Sequence, residues 1–245
     1  MKFNLSSFTL HIIAMVLMLG DHLWATLLPA QEWLTCLGRI AFPIFAFMTV
    51  EGYFHTHNLK KYLLRLLGFA VISEIPFDLM TEGVLFYPFH QNVLWTFLIG
   101  LTGIFLIEKA HSKCNRFIYF LCACMVVLLG FVIGTVGMVD YYGAGVLTIF
   151  IFYFFRGKKW WQLLGQLIGM YFVNIQLLGG FFYPINILGY NIEIVQQGFA
   201  ILALIPIWLY NGRQGYRSKT FQYICYAFYP VHLLAISLIM KLVNR

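Results

Sequence analysis

The stretch FTLHIIAMVLMLGDHLWATLL, residues 8–28, is long and apolar enough to cross a lipid bilayer as one helix. A transmembrane helix needs about 20 mostly apolar residues, and this stretch supplies them. Asp21 and His22 interrupt it side by side. An ionisable residue at membrane depth costs roughly 2.5 kcal/mol or more, so such residues usually mark a pathway or a site. The stretch therefore predicts a transmembrane helix that carries a functional pair.

The composition of the whole chain extends this prediction from one helix to the entire protein. Of its 245 residues, 61% are hydrophobic and only 10% are charged. Soluble domains have about 25% charged residues, so a soluble class is excluded. The net charge of +7 is divided among short clusters between apolar runs, which argues against nucleic acid as a partner. We predict a single integral membrane domain over residues 1–245, with the lipid bilayer as its surroundings.

Further apolar segments follow the first along the chain, and together they predict an all-α, polytopic bundle of about nine transmembrane helices. The predicted spans are 8–28, 34–54, 62–80, 92–108, 117–137, 142–155, 162–180, 194–210 and 221–241.

Basic residues occupy every second connection between these spans. They are Lys60 and Lys61, then Lys109, Lys113 and Arg116, then Arg156, Lys158 and Lys159, then Arg213, Arg217 and Lys219. The other connections carry Glu32, Glu82, Asp140 and Glu193. Because cytoplasmic loops are enriched in Lys and Arg, this alternation predicts a cytoplasmic N-terminus.

Six polar side chains are predicted to converge between the middle of the membrane and its outer face. They are Asp21, His22, Arg39, Glu74, Asp78 and His232. His22 and Arg39 are similarly far from the first outer connection, and Glu74 and Asp78, four apart, share one helix face. An ion pair of Asp21 with Arg39 can also be purely structural, and that alternative stays open.

A second set of polar side chains is predicted at the cytoplasmic end. His11 points in nearly the same direction as His22, about three turns earlier on the same helix. Lys60, Lys61 and Arg65 begin the third span, although they can also be topology signals alone. The chain has seven histidines, but without HxxxH or HExxH spacing, so no metal is expected.

Several blocks of sequence together resemble the TraX family. They are MLGDHLW (18–24), GRIAFPIFAFMTVEGYFHT (38–56), KKYLLRLLGFAVISEIPFDL (60–79), HQNVLWTFLIG (90–100) and FYPVHLL (228–234). The family is named for the membrane protein that acetylates the pilin N-terminus in conjugative F-type systems. The similarity is dense over 10–108, returns near 226–234 and is weak between. It implies a multi-pass protein of the bacterial inner or plasma membrane.

This family looks like a branch of the transmembrane acyltransferases, which transfer an acyl group from cytoplasmic acyl-CoA to an acceptor reached from the other side. The resemblance implies acetyl-CoA as donor and an amine or hydroxyl acceptor on a peptide N-terminus, a glycan or a small molecule. His22 matches the histidine of that wider group. His11 stands where Lys or Arg is usual, so a permanent charge is missing there.

The resemblance also implies roles for the predicted residues. His22 is the expected base that deprotonates the acceptor, and Arg39 is expected near the developing oxyanion. Asp21 is expected to pair with Arg39, while Glu74 or Asp78 orients His22. His232 is a further catalytic candidate. The residues predicted to bind CoA phosphates are His11, Lys60, Lys61 and Arg65.

Two other classes of protein remain possible alternatives to an acyltransferase. A proton-coupled transporter of small molecules would use the same intramembrane Asp, His, Arg and Glu network. A structural or assembly protein would need none of these side chains. Turnover of acetyl-CoA by the purified protein separates the enzyme from both.

Overall fold

The computed structural model describes residues 4–187, 190–216 and 218–243, and these ranges are mainly helical. The α-helices within them are α1 (Ser7–Thr26), α2 (Glu32–Gly38), α3 (Ala41–His55), α4 (Leu59–Thr81), α5 (Val93–Lys113), α6 (Arg116–Val136), α7 (Tyr142–Phe154), α8 (Trp160–Tyr171), α9 (Leu204–Trp208) and α10 (Lys219–Val243). A π-helical segment, Phe172–Leu178, continues α8, and a 3₁₀ segment, Gln196–Ala203, leads into α9.

Polar residues at the edges of the apolar runs fix where several helices begin. Ser6, Asn58, Asn92 and Asn115 each accept a backbone N–H of the following first turn through a side-chain oxygen. Such caps satisfy amide groups that have no partner inside the helix. The short polar residues between apolar runs therefore determine the helix starts.

The second predicted span, 34–54, is divided in the structure. The chain turns at Arg39 and Ile40, between α2 and α3. Pro43 explains the break, because a proline ring clashes with the carbonyl of the residue four positions earlier, which is Arg39. The predicted span is retained as the apolar segment Glu32–His55, and the turn within it leaves Arg39 at the end of α2.

Five helical segments in the described ranges are long and apolar enough to cross a membrane by length and composition. They are Ser7–Thr26, Glu32–His55, Val93–Lys113, Arg116–Val136 and Thr220–Val243. α4 has 23 residues but carries charged groups at Lys60, Lys61, Arg65, Glu74 and Asp78. The protein is thus a multi-pass helical membrane protein. Nine crossings and a cytoplasmic N-terminus stay predictions.

A β-hairpin occupies part of the chain between two predicted spans. Strands β1 (Phe182–Ile187) and β2 (Tyr190–Val195) pair antiparallel, with Phe182 opposite Val195. Gly179 and Gly180 have φ values of +61° and +109° and end the preceding helical segment. The all-α prediction holds for the bundle, but it missed this hairpin.

The centre of the bundle is formed by α3, whose Ile44, Ala46 and Val50 are fully buried. α7 packs beside it with Val146 and Ile149, which are equally inaccessible. Because α3 is central, the two polar residues near its ends, Arg39 and Glu51, are held inside the protein and away from the surrounding lipid.

The basic connections meet at one end of the bundle. The Leu5 amide donates to the Leu209 carbonyl at 3.0 Å, which joins the segment before α1 to the segment after α9. Arg156, between α7 and α8, donates to Glu51 near the end of α3 at 2.6 Å. The structure therefore groups these predicted cytoplasmic connections on one side. Arg217 lies outside the described residues.

The less basic connections meet at the opposite end. The Gln91 amide donates to the Met138 carbonyl at 2.9 Å. His90 lies 3.8 Å from the Asp140 carboxylate, which raises the pKa of His90 above its ordinary value. The segment before α5 and the segment before α7 therefore form one polar surface.

The sidedness of these two ends can be tested with reporter fusions. A reporter placed after Asn58 or Lys113 is expected to read cytoplasmic, and one placed after Glu82 or Glu193 external, because basic loops stay inside. Paired alkaline phosphatase and green fluorescent protein fusions measure this directly. The reverse pattern would contradict the predicted cytoplasmic N-terminus.

Candidate active site within the membrane

Asp21 and Arg39 form an ion pair between α1 and the end of α2. Nη2 of Arg39 donates to both carboxylate oxygens of Asp21, at 2.6 and 2.5 Å. The Asp21 residue is 9% exposed, so the pair is largely shielded from solvent. The helical hairpin of α1 and α2 thus brings these two residues together.

Gly38 makes this close approach of α1 and α2 possible. A Cβ atom at position 38 would lie 2.4 Å from the Cβ atom of Asp21. Real Cβ atoms do not approach so closely, so any larger residue would push the two helices apart. The residue before Arg39 therefore has to be small for the ion pair to form.

His22 is hydrogen-bonded to His232 of α10. Nδ1 of His22 lies 2.7 Å from Nε2 of His232, and the two rings are almost parallel, at 4°. Nδ1 of His232 lies 2.6 Å from the carbonyl oxygen of Phe228, one turn earlier on α10. Two helices that are far apart in sequence thus join their histidines in one chain of hydrogen bonds.

This chain of hydrogen bonds determines which nitrogen of each neutral ring carries the proton. A carbonyl oxygen only accepts, so Nδ1 of His232 must be the donor and its Nε2 must be unprotonated. Nδ1 of His22 then donates to His232, which leaves Nε2 of His22 with the free lone pair. His22 is therefore held in the tautomer that accepts a proton at Nε2.

Arg39 retains hydrogen-bonding capacity beyond its contact with Asp21. Its Nε is buried and has no hydrogen-bond partner in the described part of the chain. Its charge lies beside Asp21, the residue that precedes His22 in α1. A buried donor without a partner has a free energy cost of about 1–3 kcal/mol, which a ligand oxygen placed there would remove.

Glu74 and Asp78 do not orient His22 in the structure. Glu74 accepts hydrogen bonds from the Asn92 side chain at 2.7 Å and from the Trp95 indole at 2.5 Å. Asp78 accepts the Tyr87 amide at 2.8 Å. The predicted orienting role of Glu74 or Asp78 was therefore wrong, because His232 is the hydrogen-bond partner of His22. The two acidic residues instead bind the start of α5 and the segment before it.

The predicted phosphate-binding residues lie at the basic end but not in one cluster. His11 is hydrogen-bonded to the Ser7 carbonyl of its own helix at 2.8 Å. Lys60 and Lys61 are exposed, and Arg65 stacks over the Tyr226 ring at 5.7 Å. No hydrogen bond joins His11, Lys60, Lys61 and Arg65 to one another in the ranges that the structure describes.

Sequence reasoning missed the contact between Glu51 and Arg156 at this same end. Arg156 donates to the two carboxylate oxygens at 2.6 and 3.3 Å, and it lies over the Phe54 ring at 4.3 Å. The available signal was an acidic residue inside the predicted cytoplasmic half of a span, which needs a cation. The chain offered several cations, and the sequence did not say which one.

The fold and this site define a class: a multi-pass helical membrane protein with an ion pair and a histidine pair between its helices. The chain belongs to the TraX family, because the family model described as "TraX protein" matches residues 6–240. The predicted family is thereby confirmed.

A curated protein with a similar sequence is the "Probable fimbrial assembly protein FimC, serogroup H1" of Dichelobacter nodosus. The two sequences are 35% identical over 114 residues, which cover 42% of this chain and 47% of that protein. The chain thus spans about half the length of this relative. No solved structure matches the chain.

Proposed function

We propose that this protein is an acyltransferase of the bacterial plasma membrane that transfers an acetyl group from cytoplasmic acetyl-CoA to an amine or hydroxyl acceptor. The observation that carries the proposal is the chain of hydrogen bonds from His22 through His232 to the Phe228 carbonyl, which leaves Nε2 of His22 without a proton. A neutral histidine with a free Nε2, held by a second histidine, is what a general base requires.

In the proposed reaction, the acceptor nitrogen or oxygen attacks the thioester carbonyl carbon while Nε2 of His22 takes the acceptor proton. The positive charge that forms on His22 is shared with His232 through their hydrogen bond. The carbonyl oxygen becomes an oxyanion, which the guanidinium of Arg39 stabilises. Collapse of this intermediate breaks the carbon–sulfur bond, and the departing CoA thiolate takes the proton back from His22.

Asp21 supports this chemistry by holding the charge of Arg39 in position. Both carboxylate oxygens contact the same nitrogen, Nη2, which leaves Nε and Nη1 to face other groups. Arginine charge inside a membrane is stable when it is paired, so the ion pair keeps Arg39 charged beside His22. In this proposal Asp21 is a positioning residue.

Because the relative from Dichelobacter nodosus is named as a probable fimbrial assembly protein, a fimbrial subunit is the first acceptor to test. The decisive measurement incubates purified protein with radiolabelled acetyl-CoA and that acceptor, then follows both CoA release and acceptor labelling. We expect both products in equal amounts. If neither forms and a pH gradient across proteoliposomes instead drives uptake of a small molecule, the protein is a transporter that uses the same side chains.

A further inference from the structure

A cavity of about 450 Å³ opens at the basic end of the bundle, away from the histidine pair. It lies between the end of α3, the connection between α7 and α8, and the segment after α9. Its polar lining includes Arg156, Lys158 and Asn211, and its apolar lining includes Phe47 and Trp208. The cavity therefore combines cationic and aromatic surfaces.

The charge of this cavity is positive. Arg156 is paired with Glu51, so these two charges largely cancel. Lys158 donates to the backbone carbonyl of Tyr210 and forms no ion pair with any described residue. The uncompensated charge in the cavity is thus the ammonium group of Lys158, which suits an anionic ligand.

The walls of the cavity are fixed by contacts that do not involve a ligand. Gln166 is 2% exposed, accepts the Trp208 indole N–H at 2.7 Å and donates to the Phe155 carbonyl at 2.8 Å. Gly157 has a φ of +133°, and a Cβ atom there would lie 2.3 Å from Gln162. The connection that presents Arg156 and Lys158 is therefore held in one shape.

We propose that this cavity binds the phosphates and the heterocyclic base of coenzyme A, with Lys158 as the main phosphate contact. The inference rests on the proposed function, since it names where the acyl donor of that reaction is held. Lysine and arginine side chains donate strong hydrogen bonds to phosphate oxygens. The Trp208 ring lines the cavity and can stack against the flat adenine base.

The position of the cavity relative to His22 agrees with this assignment. Twelve residues, which span about 18 Å at helical rise, separate Arg39, at the ion pair, from Glu51, at the cavity, through the turn that precedes α3. The extended pantetheine arm of CoA is long enough to cover such a distance. The phosphates would then remain at the basic end while the thioester reaches the histidine pair.

The test titrates purified protein, in nanodiscs of zwitterionic phosphatidylcholine, with CoA by calorimetry. Lys158→Gln removes the charge but keeps a donor for the Tyr210 carbonyl, so the fold should be retained. We expect this variant to bind CoA roughly tenfold or more weakly, as for a lost charged hydrogen bond. Lys158→Arg should bind nearly as well as the wild type.

Two controls make the assignment specific to the cavity. Lys159→Gln removes the neighbouring charge, which does not line the cavity, and should bind CoA like the wild type. The double variant Lys60→Gln with Lys61→Gln tests the alternative phosphate site predicted at the start of α4. The proposal fails if wild-type protein binds no CoA, if Lys158→Gln binds it normally, or if the loss follows Lys60 and Lys61.

The same titration separates this inference from the proposed function. If CoA binding depends on Lys158 but no acyl transfer is found with any acceptor, the cavity assignment stands and the proposed reaction fails. His22→Ala should bind CoA with unchanged affinity, because the phosphates do not reach the histidine pair.

Discussion

His22→Ala is expected to reduce acyl transfer by roughly 10²- to 10⁴-fold, the usual contribution of a positioned general base. The variant should still insert and fold, because alanine is the best helix former and the substitution lies within α1. The rate of CoA release from acetyl-CoA, measured at saturating donor and acceptor, is the quantity to compare.

A second histidine provides the matched control for this substitution. His111, near the end of α5, lies beside Tyr119 and takes no part in the site, so His111→Ala should keep full activity. His232→Ala should lose part of the activity, since His22 would lose the partner that fixes its tautomer. A folded His22→Ala protein with wild-type turnover would rule out His22 as the base.

Asp21→Asn is expected to destabilise the protein by about 3–5 kcal/mol, because it leaves the charge of Arg39 buried without its carboxylate. The side chains of the pair are only 20% and 13% exposed, so solvent offers little compensation. Unfolding of the purified protein, followed by its thermal midpoint and by resistance to denaturant, measures the loss. Turnover per folded molecule should fall as well, because the carboxylate no longer holds Arg39 in position.

The double variant Asp21→Asn with Arg39→Gln tests whether the loss comes from the charge. Removing both charges should restore much of the stability, since a neutral pair leaves no uncompensated buried ion. The double variant should nevertheless be inactive, because the proposed oxyanion partner is gone. Equal stability of wild type and Asp21→Asn would show that the ion pair is not needed by the fold.

The sequence predicted the parts of this molecule that depend on local patterns. The apolar runs predicted the approximate positions of the helices, and the similar distances of His22 and Arg39 from the first connection placed Asp21, next to His22, within reach of Arg39. Both follow from helix geometry within a short segment, where the rise per residue leaves few alternatives.

The sequence could not predict contacts that depend on which helices become neighbours. His22 and His232 were both predicted site residues, but their hydrogen bond joins residues 210 positions apart. Helix periodicity predicts which side of a helix is buried, but not which other helix packs against that side. The same holds for Glu51 and Arg156, which are 105 positions apart. The turn at Arg39 could have been predicted from Pro43. The hairpin was missed because it lies between two long apolar runs that were both interpreted as helices.

The Asp21–Arg39 ion pair and the His22–His232 pair can form at different times during synthesis of the chain. Arg39 follows Asp21 by only 18 positions, so the ion pair can form soon after the first helices enter the membrane. His232 follows His22 by 210 positions, which ribosomes translating about 5–20 residues per second need roughly 10–40 s to cover. A nascent chain therefore holds a neutralised arginine long before it holds the complete histidine pair. A chain that ends before His232 would contain the neutralised arginine but would lack the second histidine.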